Sequence, residues 1–163
     1  MLDIIKGAVS LGLLWSVMTI GVYISYRILE IADLTVEGSI TLGAAIAAQA
    51  ITKGINPYIA TGMALLGGMA AGLVTGLLHT KLKIPALLSG ILTMIALYSI
   101  NLRVLGKASL SLLRMETVYT AFEKIGLESS WAIIALGFIS VTVVICFLYW
   151  FFGTEIGCAI RAT

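Results

Sequence analysis

Five stretches of this chain carry no charged side chain, residues 7–26, 38–52, 54–78, 84–102 and 129–154, and all of its Asp, Glu, Lys and Arg residues fall outside them. A helix that crosses a bilayer needs about 20 mostly apolar residues, and its backbone N–H and C=O groups must bond within the segment because no water is there to take them. Four of the five runs reach that length. The run 38–52, at 15 residues, falls short. It is expected to be a tilted short span, a helix continuing into the acidic segment before it, or a re-entrant piece. The alternative, core helices of a soluble protein, needs a polar outer layer. With 60% hydrophobic and 11% charged residues, against about a quarter charged in soluble domains, there is nothing to build it from. The expected fold class is all-α: a polytopic helical membrane protein of about five apolar segments, one of them short or broken, forming a single transmembrane domain over 1–163.

The first run could instead be a cleavable signal, but its apolar stretch exceeds the roughly 7–15 residues of a signal core and no small-x-small cleavage site follows. It is expected to stay in the mature protein. Short loops rich in Lys and Arg stay cytoplasmic. His79-Thr-Lys-Leu-Lys83 is such a loop, with two lysines and no acid. Working out from it, 84–102 crosses outward, 103–130 is external, 131–152 returns, and 155–163 is cytoplasmic. Working back, 57–78 descends from outside. If 38–52 crosses completely, the N-terminus is external; if it is re-entrant from the outer side, the N-terminus is cytoplasmic and 27–37 lies outside. Tyr23, Tyr26, Tyr58, Trp131, Tyr149 and Trp150 gather near the ends of the runs, where amphipathic rings sit at headgroup level, whereas Trp15 falls within a run and is expected to face lipid or pack.

Ala64, Gly68, Gly72 and Gly76 recur every four residues in the third run, and Ser39, Gly43 and Ala47 do so in the second. Small faces let helices approach closely, so both stripes are expected to serve internal packing of a compact bundle.

No constellation for chemistry emerges. His79 is the only histidine and has no acid beside it, so it reads as a solvated loop residue, and no zinc or haem site can be built around it. Catalysis would need a nucleophile with a base, paired carboxylates or a metal cluster, so no catalytic residue, metal or cofactor is expected. Cys146 and Cys158, without CxxC spacing or a neighbouring His, are expected as packing residues with no disulfide. A net charge of +2 gives no basic face for nucleic acid. The one acidic concentration is Glu30, Asp33 and Glu37 ahead of the short run. Acids there suit a helix start through capping and the dipole, and a helix beginning at membrane depth is also how transporters build solute sites. The two roles are compatible, and they make Asp33, Glu37, Thr41 and Gln49 the candidate solute path.

Three segments carry a family resemblance. Asp33-Leu-Thr-Val-Glu-Gly-Ser-Ile-Thr-Leu-Gly-Ala looks like the early segment of permease subunits of bacterial ABC importers of the branched-chain amino acid and ribose type. Lys81-Leu-Lys-Ile-Pro-Ala-Leu-Leu-Ser-Gly-Ile-Leu-Thr-Met resembles their basic turn entering a helix. Thr154-x-x-Gly157-x-x-Ile160-Arg161-Ala162 is similar to the start of the cytoplasmic loop that these permeases insert into a cleft of the ATPase subunit. The pattern then expects a glycine and an asparagine, so the resemblance implies a partial permease, its N-terminal part, with 154–163 opening the coupling element. The Asp-Leu-Thr-Val-Glu variant and the opening Met-Leu-Asp resemble the aromatic or uncharacterised amino-acid branch more than the sugar branch.

The resemblance implies a non-enzymatic subunit of the bacterial inner membrane. Its partners would be an ATP-binding cassette subunit, an external or periplasmic solute-binding protein and a second permease copy, with an amino acid-like solute. Glu155, Gly157 and Arg161 would then contact the ATPase. The chain itself contains no Gly-x-x-x-x-Gly-Lys-Ser/Thr phosphate loop, in keeping with ATP bound by a partner. The alternatives are a secondary transporter or channel fragment, which would carry an ionisable residue inside a span, a sugar-type ABC permease, and a small membrane-embedded enzyme.

Overall fold

A computed structural model describes residues 2–28, 30, 33–107, 110–112, 115, 117–118 and 129–161. Most of the 103–130 segment, residues 162–163 and the Arg161 side chain lie outside the described residues. The regular elements are all helical: α1 (Leu2–Tyr23) running on into a π-helical turn (Ile24–Ile28), α2 (Thr35–Thr52), α3 (Pro57–Thr80), α4 (Ala86–Leu105), α5 (Ser129–Phe152) and the short α6 (Glu155–Arg161). Four segments are long and apolar enough to cross a membrane: Ile4–Ile28, Pro57–Thr80, Ala86–Leu105 and Trp131–Phe152. The chain is an all-α, polytopic membrane protein.

The helix ends follow local chemistry. Asn56 caps α3 by accepting the Tyr58 N–H at 3.0 Å, with Pro57 in the first-turn position that needs no amide donor. Gly106 ends α4 in the left-handed conformation, φ 67°, its N–H bonded to the Leu102 carbonyl. Between α3 and α4, Nδ1 of the exposed His79 donates to the Ile84 carbonyl at 2.8 Å. His79 therefore closes the lysine turn, beyond the solvated role expected of it. Along the spans, hydroxyls donate to their own helix one turn back, as in Ser10 to Gly7, Thr19 to Trp15, Thr93 to Ser89 and Thr142 to Phe138. That is how they are carried through an environment without water.

The chain forms two compact units, Met1–Glu30 with Tyr119–Thr163, and Ile31–Val118. In the first, α1 and α5 run parallel. Lys6 Nζ lies 5.3 Å from the Trp131 ring centre, Gly137 gives way to Leu13, and Ile20 and Tyr23 share a groove with Ile145 and Leu148.

The second unit is built around α2. The small core of Leu42, Ala71 and Leu97, with Ile46 against it, joins α2, α3 and α4. α3 is antiparallel to α2, since Thr35 meets Thr75, and Leu42 and Ile46 lie over Gly67 farther along. α4 is parallel to it. Gly90 lies against Asp33 and Leu34, Gly38 against Met94 and Leu97, and Thr41 against Asn101. The short run thus resolves as a helix that continues into the acidic segment, unbroken over 18 residues, or about 27 Å at roughly 1.5 Å per residue.

The small-residue stripe of α3 is used in part within the second unit: among the described residues Ala64 meets Gly43 of α2, while a Cβ added at Gly68, Gly72 or Gly76 would meet nothing within 4 Å. The buried face of α3 is instead Ala60, Ala71 and Thr75, with Ala64 and Gly67 between them. A repeat of four residues drifts about 40° per step around a helix, whereas alternating steps of four and three stay on one face. In α2, Gly43 is used, while the buried positions are Thr35, Gly38, Leu42, Ala45 and Ala50, with Ser39 and Ala47 beside them and half-exposed. Cys146 and Cys158 form no disulfide and are exposed, so neither is buried in packing as expected.

Candidate functional site

The polar groups of the second unit line up along the seam between α2 and α4. At its first end Asp33 Oδ1 accepts the Thr35 N–H at 2.8 Å. The Thr35 hydroxyl, buried to 2% exposure, lies 2.8 Å from that of Thr75. Thr75 donates onward to the Ala71 carbonyl, which leaves Thr35 as the donor to Thr75. Asp33 is thereby a capping residue tied into backbone and faces no cavity among those described; of its two expected roles, the structure accounts for capping.

Glu37, in the first turn of α2, is exposed and lines a cavity of about 360 Å³ with Gly38, Thr41, Met94, Ile95 and Tyr98. The Thr41 hydroxyl donates to the carbonyls of Glu37 and Gly38 at 3.0 and 2.8 Å, and accepts from Asn101 Nδ2 at 2.9 Å. Asn101 is only 8% exposed, and its Oδ1 is buried with no hydrogen-bond partner. Farther along, the half-buried Gln49 lines a second cavity of about 490 Å³ with Thr52, Leu105, Lys107 and Ser111.

Of the residues singled out from sequence, Thr41, Gln49 and Glu37 thus lie on one seam. Sequence reasoning missed Asn101, Tyr98, Lys107 and Ser111, which come from α4 and the segment after it. The signal available was a lone amide, Asn101, inside an otherwise apolar run, and buried polar groups in a span mark functional positions.

The tail departs from expectation at one residue. Gly157 is buried against the backbone of Phe151 and Phe152, so it seats α6 on the end of α5 and offers no free surface to a partner. Glu155 is exposed on α6, and the Arg161 backbone belongs to that helix while its side chain lies outside the described residues. Among the described residues no three His, Cys, Asp or Glu side chains come together as metal ligands.

Residues 4–163 match the family model described as branched-chain amino acid transport system, permease component. The chain belongs to that family of permeases. It is 45% identical over 138 residues to a tyrosine transport system permease protein of Clostridioides difficile, covering 85% of this chain and 45% of the relative. It is 34% identical over 122 residues to an uncharacterized protein of Rickettsia prowazekii, covering 75% of this chain and 43% of the relative. This permease chain therefore spans less than half the length of these curated relatives. No solved structure matches it.

Proposed function

We propose that this chain is part of the transmembrane permease of an ATP-driven importer in a bacterial inner membrane, passing an amino acid-like and most specifically aromatic solute along the α2–α4 seam. The observation that carries this reading is the family match over residues 4–163; the tyrosine permease relative supports the solute class. ATP is bound by a cassette subunit docking at α6, solute arrives from an external binding protein, and a second permease copy completes the pathway. The chain itself holds no cofactor and catalyses no bond change.

The orientation follows from each unit separately. With the 79–83 turn cytoplasmic, the Asp33 end of α2 is cytoplasmic as well, because Thr35 meets Thr75 and Asp33 meets Gly90. With α6 cytoplasmic, the end of α1 at Ile24–Ile28 is too, because α1 and α5 are parallel. On this reading α2 crosses outward, the N-terminus is external, and the Gln49 cavity opens toward the side from which solute is delivered.

The test is reconstitution of the full-length permease with its cassette and binding proteins in proteoliposomes. ATP-dependent accumulation of an aromatic amino acid is expected. Uptake driven by an ion gradient without ATP, or restricted to sugars, would refute the assignment.

A further inference from the structure

We propose that the cavity walled by Gln49, Thr52, Lys107 and Ser111 is an entry site for a free α-amino acid in its zwitterionic form, with Lys107 taking the carboxylate. The proposal rests on the amino-acid permease reading above and adds the residues and the chemical groups of contact. The cavity, about 490 Å³, falls within the ~300–1,000 Å³ of small-molecule sites. It lies at one end of the second unit, because Thr52 is the last residue of α2 and Leu105 the last of α4, and these two helices run parallel. The 79–83 turn is at the opposite end. On the orientation above, the cavity stands on the external side, where an incoming solute is first met.

Two polar groups on its wall are unspent. Among the described residues, neither the Lys107 ammonium nor the Gln49 side-chain amide has a hydrogen-bond or ion-pair partner. Lys107 is exposed and Gln49 half-buried, so a solute can reach both from the cavity they line. The Thr52 hydroxyl donates to the Gln49 backbone carbonyl at 2.9 Å, which commits its proton and leaves it an acceptor toward the cavity.

The chemistry of the wall selects the ligand. Its one charged residue is Lys107, a compact ammonium that attracts a carboxylate. An α-amino acid whose carboxylate is held there carries its own ammonium group on the adjacent carbon. That group meets the C-terminal ends of α2 and α4, where helices leave carbonyls without intrahelical partners and partial negative charge gathers. The Gln49 amide serves either group, since it offers two N–H donors and an acceptor oxygen, and the Thr52 hydroxyl accepts from the ammonium. Leu105 and Leu110 supply the apolar flank for the solute side chain. A lysine that only offsets the helix ends, or that docks an acidic side chain of the binding protein, would be indifferent to which of these groups the solute carries.

The experiment uses the full-length permease assembled with its cassette subunit in proteoliposomes, without binding protein, its native cysteines replaced by alanine and Ser111→Cys added as a reporter on the cavity wall. The rate of labelling by an externally added, membrane-impermeant maleimide is measured against rising concentrations of phenylalanine, of phenylalaninamide, which has no carboxylate, and of 3-phenylpropionate, which has no ammonium group. Phenylalanine is expected to protect at the lowest concentration and phenylalaninamide to need about fivefold more, a factor between the worth of an exposed ion pair and that of a charge-assisted hydrogen bond; 3-phenylpropionate should also need more than phenylalanine. Lys107→Gln should weaken protection by phenylalanine by about the same factor and erase its advantage over the amide, because the two changes remove one interaction from its two sides, while Lys107→Arg should preserve that advantage. Equal protection by phenylalanine and phenylalaninamide with Lys107 in place, or an advantage that persists in Lys107→Gln, overturns the proposal. Should the Ser111→Cys protein fail to assemble, Leu110→Cys is judged by the same outcome. Uptake by the unaltered permease with its cassette and binding proteins decides the underlying reading by itself: ATP-driven transport of sugars alone removes that reading and the inference together, whereas amino acid uptake with no protection by phenylalanine removes the inference only.

Discussion

Replacing Gly157 with alanine adds one methyl group at the point where α6 folds back on α5. The new Cβ would sit in contact with the Phe151 carbonyl oxygen, 2.5 Å from Phe152 Cα and 2.9 Å from its carbonyl carbon. All three are backbone atoms, so no side chain can rotate aside and the short helix must lift or unwind. Overpacking of this kind costs about 1–3 kcal/mol, and alanine's better helix propensity returns only about 1 kcal/mol. The contacts that hold the helix include short-range ones to the chain just before it: the Cys158 N–H donates to the Thr154 carbonyl at 2.9 Å, the Gly157 N–H lies 3.4 Å from the Thr154 hydroxyl, and the Cys158 thiol lies 3.9 Å from the Phe152 carbonyl oxygen. Displacement is therefore the expected outcome at little cost to the rest of the fold. Cys158, exposed on α6, provides the readout once Cys146 has been replaced by alanine. Its labelling by a water-soluble maleimide should speed up severalfold in Gly157→Ala, and pull-down of the cassette subunit should weaken. Gly153→Ala is the milder comparison, because its Cβ would meet backbone carbonyl oxygens at 3.3 and 3.5 Å, a tight contact but far less than at Gly157, and should change labelling less. Unchanged labelling and assembly in Gly157→Ala would refute the idea that this glycine seats the helix.

Two glycines of the second unit should respond with opposite signs. Gly90→Ala puts a Cβ 3.0 Å from the Leu34 backbone nitrogen and should destabilise by about 1–2 kcal/mol, while Gly72→Ala meets open space and should be neutral or gain up to about 1 kcal/mol, measured by thermal unfolding in detergent. A loss in Gly72→Ala would mean that a partner occupies this face. Thr75→Val strands the buried Thr35 hydroxyl and should cost about 1–3 kcal/mol, Thr35→Val should cost less because Thr75 still donates to the Ala71 carbonyl, and the double change should cost less than the sum; strict additivity would show that the pair is not coupled. Cysteines placed at 37 and 81 should label from one side of the membrane and a cysteine at 107 from the other, and labelling of 37 together with 107 would defeat the orientation.

The spans were readable because a missing charge over some 20 positions has one physical cause, the hydrocarbon layer. The start of α2 was not, since acids before an apolar run suit a capped helix and a broken one equally; only the contact of Asp33 and Leu34 with Gly90 separates them. The glycine stripe did not point to the face that α3 buries within the second unit, because a four-residue spacing names residues near one another on a helix without saying which side a neighbour occupies. Asn101 could not be found from spacing at all. Its significance lies in a hydrogen bond to a residue 60 positions away, a relation that exists only once α2 and α4 lie side by side.

The parallel course of α2 and α4 also bears on where the charges stand. Neighbouring antiparallel helices cancel each other's axial dipoles and parallel ones add, so in this unit α3 offsets one of the two parallel helices and the remainder leaves partial positive charge at the Asp33 end and partial negative charge at the other. Asp33 and Glu37 stand at the first end, and Lys53, Arg103 and Lys107 at the second. On the proposed orientation this puts acids inside and bases outside, against the usual loop bias. The arrangement is what the remaining dipole calls for, so the basic residues beyond α2 and α4 act as counter-charges to the helix ends, and the cytoplasmic Lys81 and Lys83 are left to fix the direction of insertion.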